Sequence, residues 1–224
     1  MRRHILALVF LALAGLSFAA DPLTAVFERI DAASKTFKGM TADLTNTQHT
    51  AIVNEDDVQT GTVKMLRSTG TQTRILIDFK GHGAQTFAYD GHEGRIFNPK
   101  TNIVDVYDVG SRQGLANQYL LLGFGATSSE LQNTYAITYV GEEKVGAQLT
   151  SHLKLVPKSP ETLHSLKQAD LWYSANGLVA QQRFLSPAGD YKLVIYSDMK
   201  LSPPPAKDLE LNPKGAKIQK QDLK

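Results

Sequence analysis

Apolar and polar positions alternate with a period of two through much of the first half of the chain. Gly61-Thr-Val-Lys-Met-Leu-Arg67, Thr73-Arg-Ile-Leu-Ile-Asp-Phe79 and Ile103-Val-Asp-Val-Tyr-Asp-Val109 each read as a strand. Between the second and third lies Phe87 to Lys100, with Asp90-Gly91 and Asn98-Pro99 at its corners. Those dipeptides favour tight reversals, so residues 61–109 are expected to fold as an antiparallel meander. Side chains of a strand alternate between its two faces. Ile75, Ile77 and Phe79 therefore share one face, and Arg74, Leu76 and Asp78 the other.

Elsewhere the period changes. Leu23, Val26, Phe27, Ile30 and Ala33 recur at helical spacing, predicting a helix from Pro22 to about Phe37 that Gly39 ends. Met40 to Val53 is long and mostly polar, as an edge or half-solvated strand would be. Glu55-Asp-Asp57 then reads as an acidic turn, a solvated loop rather than a metal site. Leu115, Tyr119 and Leu122 fall at i, i+4 and i+7, flanked by Leu120, Leu121 and Phe124. The spacing predicts a helix over about Ser111 to Leu122 that is apolar on more than one stripe. Gly123-Phe-Gly125 closes it, and Thr127-Ser-Ser-Glu130 has the form of a helix cap.

The second half returns to strands at Tyr135–Gly141, Gln148–Val156, Gln168–Ser174, Leu178–Ser186 and Asp190–Asp198. Asn176-Gly177 and Pro187-Ala-Gly189 supply hairpin turns, and Ser202-Pro-Pro-Pro205 forces an extended stretch. A last short strand is expected over Asp208 to Leu211, followed by a loose tail from Lys214 to Lys224. The count is about ten or eleven strands with helices to one side, an α+β arrangement whose sheet must curl. A curled sheet under an over-apolar helix encloses a cavity.

Composition narrows the setting. At 224 residues with 42% hydrophobic positions and no cysteine, the chain can bury one core without disulfides. Arg2 and Arg3 precede an apolar run from Ile5 to Leu16, and Ser17 and Ala19 supply small residues, the pattern of a secretory signal peptide. Cleavage is expected after Ala19, leaving residues 20–213 as one domain and 214–224 as a basic tail. Without cysteine no lipid can be attached at a lipobox, so the product is expected to be a free exported protein. Losing Arg2 and Arg3 balances the basic residues against the 22 acidic ones, so no basic excess points to nucleic acid.

Catalytic signals are weak. His49, His82, His92, His152 and His164 show no ligand spacing, and His82 and His92 sit beside glycines in turns. Ser111 and Ser186 lack the glycines of a nucleophile elbow. The chain is expected not to be an enzyme, and no cofactor or metal is expected. Trp172 lies on a strand, where it is either core or cavity wall. Arg67 and Arg74 each sit inside a strand-like segment.

The order of these features resembles the outer-membrane lipoprotein carrier protein (LolA) family. A signal peptide and amphipathic helix precede Gly61-x-Val-Lys-Met-Leu-Arg67, then Tyr89-Asp-Gly91 and Ile96-Phe-Asn-Pro99. A mid-chain apolar helix follows, then Asp170-Leu-Trp-Tyr-Ser-Ala-Asn-Gly-Leu178 and Leu185-Ser-Pro-Ala-Gly-Asp190. The resemblance spans about Leu23 to Ile218. It implies an incomplete, strongly bent antiparallel β-barrel with a helical lid over an apolar cavity, acting as a periplasmic monomer. It implies acyl chains of lipoproteins, or another lipid, as cargo, received from an inner-membrane ABC-type exporter and passed to an outer-membrane acceptor. Arg67 matches the arginine that ties lid to barrel in the family. Ser68 stands where the family has proline, and Thr73–Phe79 departs from its aromatic-rich segment, which marks a divergent member and makes Arg74 a rival for the lid contact. The expected cavity and lid residues are Arg67, Arg74, Ile75, Ile77, Phe79, Leu115, Tyr119, Leu122, Phe124 and Trp172. A lipid-sensing module of the same fold is the alternative.

Overall fold

The computed structural model describes residues 21–67, 73–109 and 122–221. Helix α1 (Pro22–Thr36) leads into strands β1 (Gly39–Thr50), β2 (Glu55–Arg67), β3 (Thr73–Phe79), β4 (Gln85–Tyr89), β5 (Glu93–Asn98) and β6 (Ile103–Asp108). Helix α2 (Ser128–Thr134) is followed by β7 (Tyr135–Val145) and β8 (Gln148–Pro157). Helix α3 (Pro160–Leu163), β9 (Gln168–Ser174), β10 (Val179–Leu185), β11 (Tyr191–Lys200) and β12 (Lys217–Gln221) complete the chain. The segment expected to form the lid, Ser111 to Leu122, lies outside the described residues except for Leu122. Residues 1–20, with the expected signal peptide, lie outside them too. Among the described residues no helix is long and apolar enough to cross a membrane.

The twelve strands form one open sheet in the order β12-β6-β5-β4-β3-β2-β1-β11-β10-β9-β8-β7. Strands β1 to β6 walk outward from the centre as a meander. Strand β7 then starts at the opposite edge, and β7 to β11 walk back until β11 lies beside β1. Neighbours are antiparallel except β12, which joins β6 in parallel with Lys217 opposite Ile103.

Several expectations change here. Of the two readings of the first long strand, the half-solvated one agrees with the structure, and β1 is central rather than an edge. Its inward row Met40, Ala42, Leu44 and Asn46 is buried, and the polar residues between them face out. Polarity reported the solvated face, not the hydrogen-bonding position. Strand β2 starts at Glu55, so the acidic triplet pairs with Gln48 to Thr50 and the reversal is residues 51–54. The tail expected to be loose supplies strand β12. The strand expected over Asp208 to Leu211 is instead a 3-10 turn at Ala206–Leu209 and an extended exit.

Two helices cover the inner face of the β7–β10 half. Val26, Ile30 and Leu131 join Leu153, Leu155, Leu171 and Tyr173 in the core. Polar contacts fix the helices: Arg29 Nη2 donates to Ser151 Oγ at 2.9 Å, and Asp31 accepts from Ser128 N and Oγ, both at 2.7 Å. The expected cap is present, with Glu130 N donating to Thr127 Oγ1 and Thr127 N donating to Glu130 Oε2. No helix covers the inner face of the β1–β5 half among the described residues.

The outer face of the β7–β10 half carries a polar network. Asp170, 1% exposed, accepts from His152 Nε2 at 3.0 Å, from Gln168 Nε2 at 2.9 Å and from Arg183 Nη2 at 2.9 Å. His152 Nδ1 lies 3.0 Å from Glu143 Oε1, and its ring stacks on Trp172 with centroids 4.2 Å apart. The Trp172 indole donates to Glu143 Oε2 at 2.7 Å, and with His152 it holds the Glu143 carboxyl below the usual carboxylate range. A lowered folded-state pKa contributes stability above the unfolded value of 4.5, and that contribution fades as pH falls through the lowered value. Glu143→Gln should therefore lower stability at neutral pH, by about 1 kcal/mol or less because the side chain is half exposed. Melts taken at successively lower pH should show the two proteins converge in acid; a gap that stays constant there would be the contrary result.

Candidate functional site

Where the helices stop, the inner face is hollow. A pocket of about 460 Å³ is bounded by consecutive strands from β5 round to β10, which shows how strongly the sheet curls. Val63 and Met65 of β2 lie beside Ile75, Ile77 and Phe79 of β3, with Phe87 of β4 and Ile96 of β5 continuing the wall. Cross-strand register places Val63, Ile77, Phe87 and Ile96 in one row. Met40, Leu44, Val194 and Tyr196 close the other side. The lining is mainly apolar. Its polar members are Asn46, Gln85, Gln182, Lys192 and the Tyr196 phenol.

These polar groups fall into two sets. Gln182 and Tyr196 meet beside residues 122–125, where the Gln182 amide donates to Leu122 O while accepting from Tyr196 Oη at 3.1 Å. The Tyr196 phenol lies deep although its ring is partly open to the pocket, and burial raises its pKa well above 10.0. It remains a neutral donor. Asn46, Gln85 and Lys192 stand towards the end of the β3–β4 and β10–β11 turns, forming a polar rim.

Residues 122–125 are clasped to the sheet beside this pocket. Arg67 Nη1 donates to Gly125 O at 2.6 Å, and Phe124 is buried with its ring edge-on to Tyr196 at 5.1 Å. The glycines here have a physical reason. A Cβ on Gly125 would stand 2.5 Å from Arg67 Nη1, and one on Gly123 would stand 2.3 Å from Val179 Cγ2. Both also have φ in the left-handed region, at 76° and 90°. Close approach of this backbone to the sheet requires them.

Of the residues expected at the site, Ile75, Ile77 and Phe79 line the pocket, and Leu122, Phe124 and Arg67 meet at the clasp. Leu115 and Tyr119 lie outside the described residues. Arg74 and Trp172 are on the outer face, a correction that follows from strand alternation. Buried Ile75 and the Leu171–Tyr173 pair take the inward positions, so their neighbours must point away. Arg74 lines a separate, polar depression with Asp90, Glu93 and Arg95 beneath the C-terminal segment. Trp172 belongs to the His152 network. Sequence reasoning missed Gln182 and Tyr196, which sit in an ordinary strand pattern; only pairing of β10 with β11 brings them together.

Among the described residues no group of three His, Asp or Glu side chains is placed to hold a metal ion. His82 and His92 are exposed in turns. The site is built to accommodate apolar matter beside a few hydrogen-bonding groups.

No family model matches the sequence, and no curated protein does. Solved structures do match. MucB superposes with a TM-score of 0.54 at 13% identity, over 87% of this chain and 64% of MucB. The chain thus spans less than two thirds of that neighbour. An uncharacterized conserved protein from Thermus thermophilus matches with a TM-score of 0.56 at 11% identity, over 90% of this chain and all of the other. A LolA superfamily protein from Nitrosomonas europaea is a looser match, with a TM-score of 0.40 at 14% identity over 84% of this chain and 97% of that one. What the chain shares at these identities is a fold, the one it has in common with MucB and the Thermus thermophilus protein.

Proposed function

We propose that the chain is a periplasmic carrier that holds acyl chains, of lipoproteins or another lipid, in the pocket on its inner face. The supporting observation is that pocket: about 460 Å³, walled by Ile75, Ile77 and Phe79, with a mainly apolar lining. Its volume lies in the range of small-molecule sites, about 300–1,000 Å³. Each buried methylene contributes about 0.8 kcal/mol, so apolar contact alone can hold a long chain. The polar rim leaves the head group at the opening. On this reading the chain binds and transfers without catalysing a reaction.

The lid belongs to the same proposal. Val109, whose N–H donates to His92 O, and Leu122, whose carbonyl accepts from Gln182, stand at the two ends of the segment that would serve as the cover. Arg67 secures its far end through Gly125. A carrier must release what it binds, so the cover needs two states of comparable free energy. Arg67→Leu should shift that balance by roughly 1–2 kcal/mol, about tenfold in release rate. Stopped-flow release of a fluorescent fatty acid checks it. Unchanged uptake and release would remove the clasp from the mechanism.

The decisive experiment for the function is solvent extraction and mass spectrometry of the purified protein, with titration of a fluorescent fatty acid. Co-purifying acyl lipid supports carriage. A pocket that neither retains nor takes up acyl chains would end it. Likeness to MucB, which has been crystallised in complex with MucA, favours a second reading as a lipid-sensing module. A sensor would bind lipid but not pass it to acceptor vesicles.

A further inference from the structure

The longest hairpin in the sheet reaches past the pocket, and its tip is apolar. Gly61 of β2 pairs with Leu44 on one side and Phe79 on the other, and β3 ends there. Beyond that row, residues 45–50 and 55–60 continue as a hairpin for about 20 Å, free of β3 on its β2 side. Strand β11 flanks it as far as Tyr191 opposite His49, and Asp190 Oδ1 braces the turn by accepting from Ala51 N at 2.8 Å. At the end stand Ile52, 93% exposed, and Val53, 57% exposed. The tip lies at the same end of the sheet as the polar rim of Asn46, Gln85 and Lys192.

The geometry points to this tip as the part of the molecule that enters a lipid surface when cargo is exchanged; this rests on the carrier reading. Two features select a bilayer over a protein. A specific protein interface takes about 800 Å² from each partner. A four-residue turn with two exposed large aliphatic side chains presents far less, whereas a bilayer needs no matching socket. The charge behind the tip then selects the kind of bilayer. Glu55, Asp56 and Asp57 follow the turn directly, and Gly39 to Val63 contains no lysine or arginine. Such a collar is repelled by an anionic surface and tolerated by a zwitterionic one.

A single reporter tests this in the full chain. Ile52→Trp places an indole at the tip, while the native Trp172 is buried on the outer face and gives a constant background. Phosphatidylcholine vesicles should move the added emission to shorter wavelength, and phosphatidylglycerol vesicles should do so less at low salt. Val140→Trp, at a 51% exposed position on β7, should not respond. In the unlabelled protein, Ile52→Ser with Val53→Ser should slow transfer of bound fluorescent fatty acid to phosphatidylcholine vesicles roughly tenfold. No response at Ile52→Trp with either vesicle, or an equal response at Val140→Trp, overturns the proposal and leaves a protein socket as the occupant of the tip. A protein that takes up no fatty acid yet shows the shift would fail as a carrier while the tip assignment stood.

Discussion

Ile77→Glu is expected to abolish acyl binding while leaving the protein folded. Ile77 is only partly buried, because its side chain faces the hollow instead of packed core. In the empty protein the new carboxylate would be hydrated inside the pocket. An incoming acyl chain would have to strip that water from a charge with no basic partner along the Val63, Phe87 and Ile96 row. Desolvating an ionised group without a partner costs several kcal/mol, so affinity should fall by roughly a hundredfold or more. Fluorescent fatty acid titration measures it directly, and unchanged thermal unfolding would show that the sheet survives. Retained affinity in a folded variant would mean that the chain binds elsewhere.

Asp170→Ala should be the most damaging single change to stability outside the apolar core. The carboxylate accepts from Gln168 on its own strand β9, from His152 on β8 and from Arg183 on β10, so one side chain ties both neighbouring strands to β9. Removing it leaves these donors facing a buried hole. Loss of one partner from a buried charged network costs about 3–5 kcal/mol; half-exposed Arg183 can turn to water, so about 3 kcal/mol is expected. Chemical denaturation would read this as a lower midpoint at similar slope. Because the network lies on the outer face, acyl binding at temperatures where the variant stays folded should be unaffected. That pairing separates the staple from the site.

The strands of the first half are legible because their alternation is strict: Thr73–Phe79 has the expected bounds and faces. The pocket wall follows from the same pattern. What alternation cannot report is which strand lies beside which. Nothing local in Met40 to Val53 says that Tyr191 to Lys200 will become its second neighbour. Its polarity therefore fits an edge as well as a half-solvated strand, and Gln182 and Tyr196 give no signal of their meeting. Trp172 is hard to place for a related reason. The strand Gln168–Ser174 is buried on both faces, so its burial pattern has no period to read. Strand β12 has no apolar signal beyond Ile218; backbone pairing with β6 holds it.

The placing of β1 has a consequence for how the molecule is made. Its first neighbour, β2, follows within a turn, but its second is nearly the last strand to emerge. During synthesis the chain therefore carries an unsatisfied β1 edge while everything from β3 to β10 is still arriving. Pairings of this separation raise contact order and slow folding, and an open central edge invites pairing with another chain. The run from Gly39 to Val63 carries Asp43, Glu55, Asp56 and Asp57 and no lysine or arginine, so like charge would oppose the pairing of two such half-made edges until β11 closes the sheet.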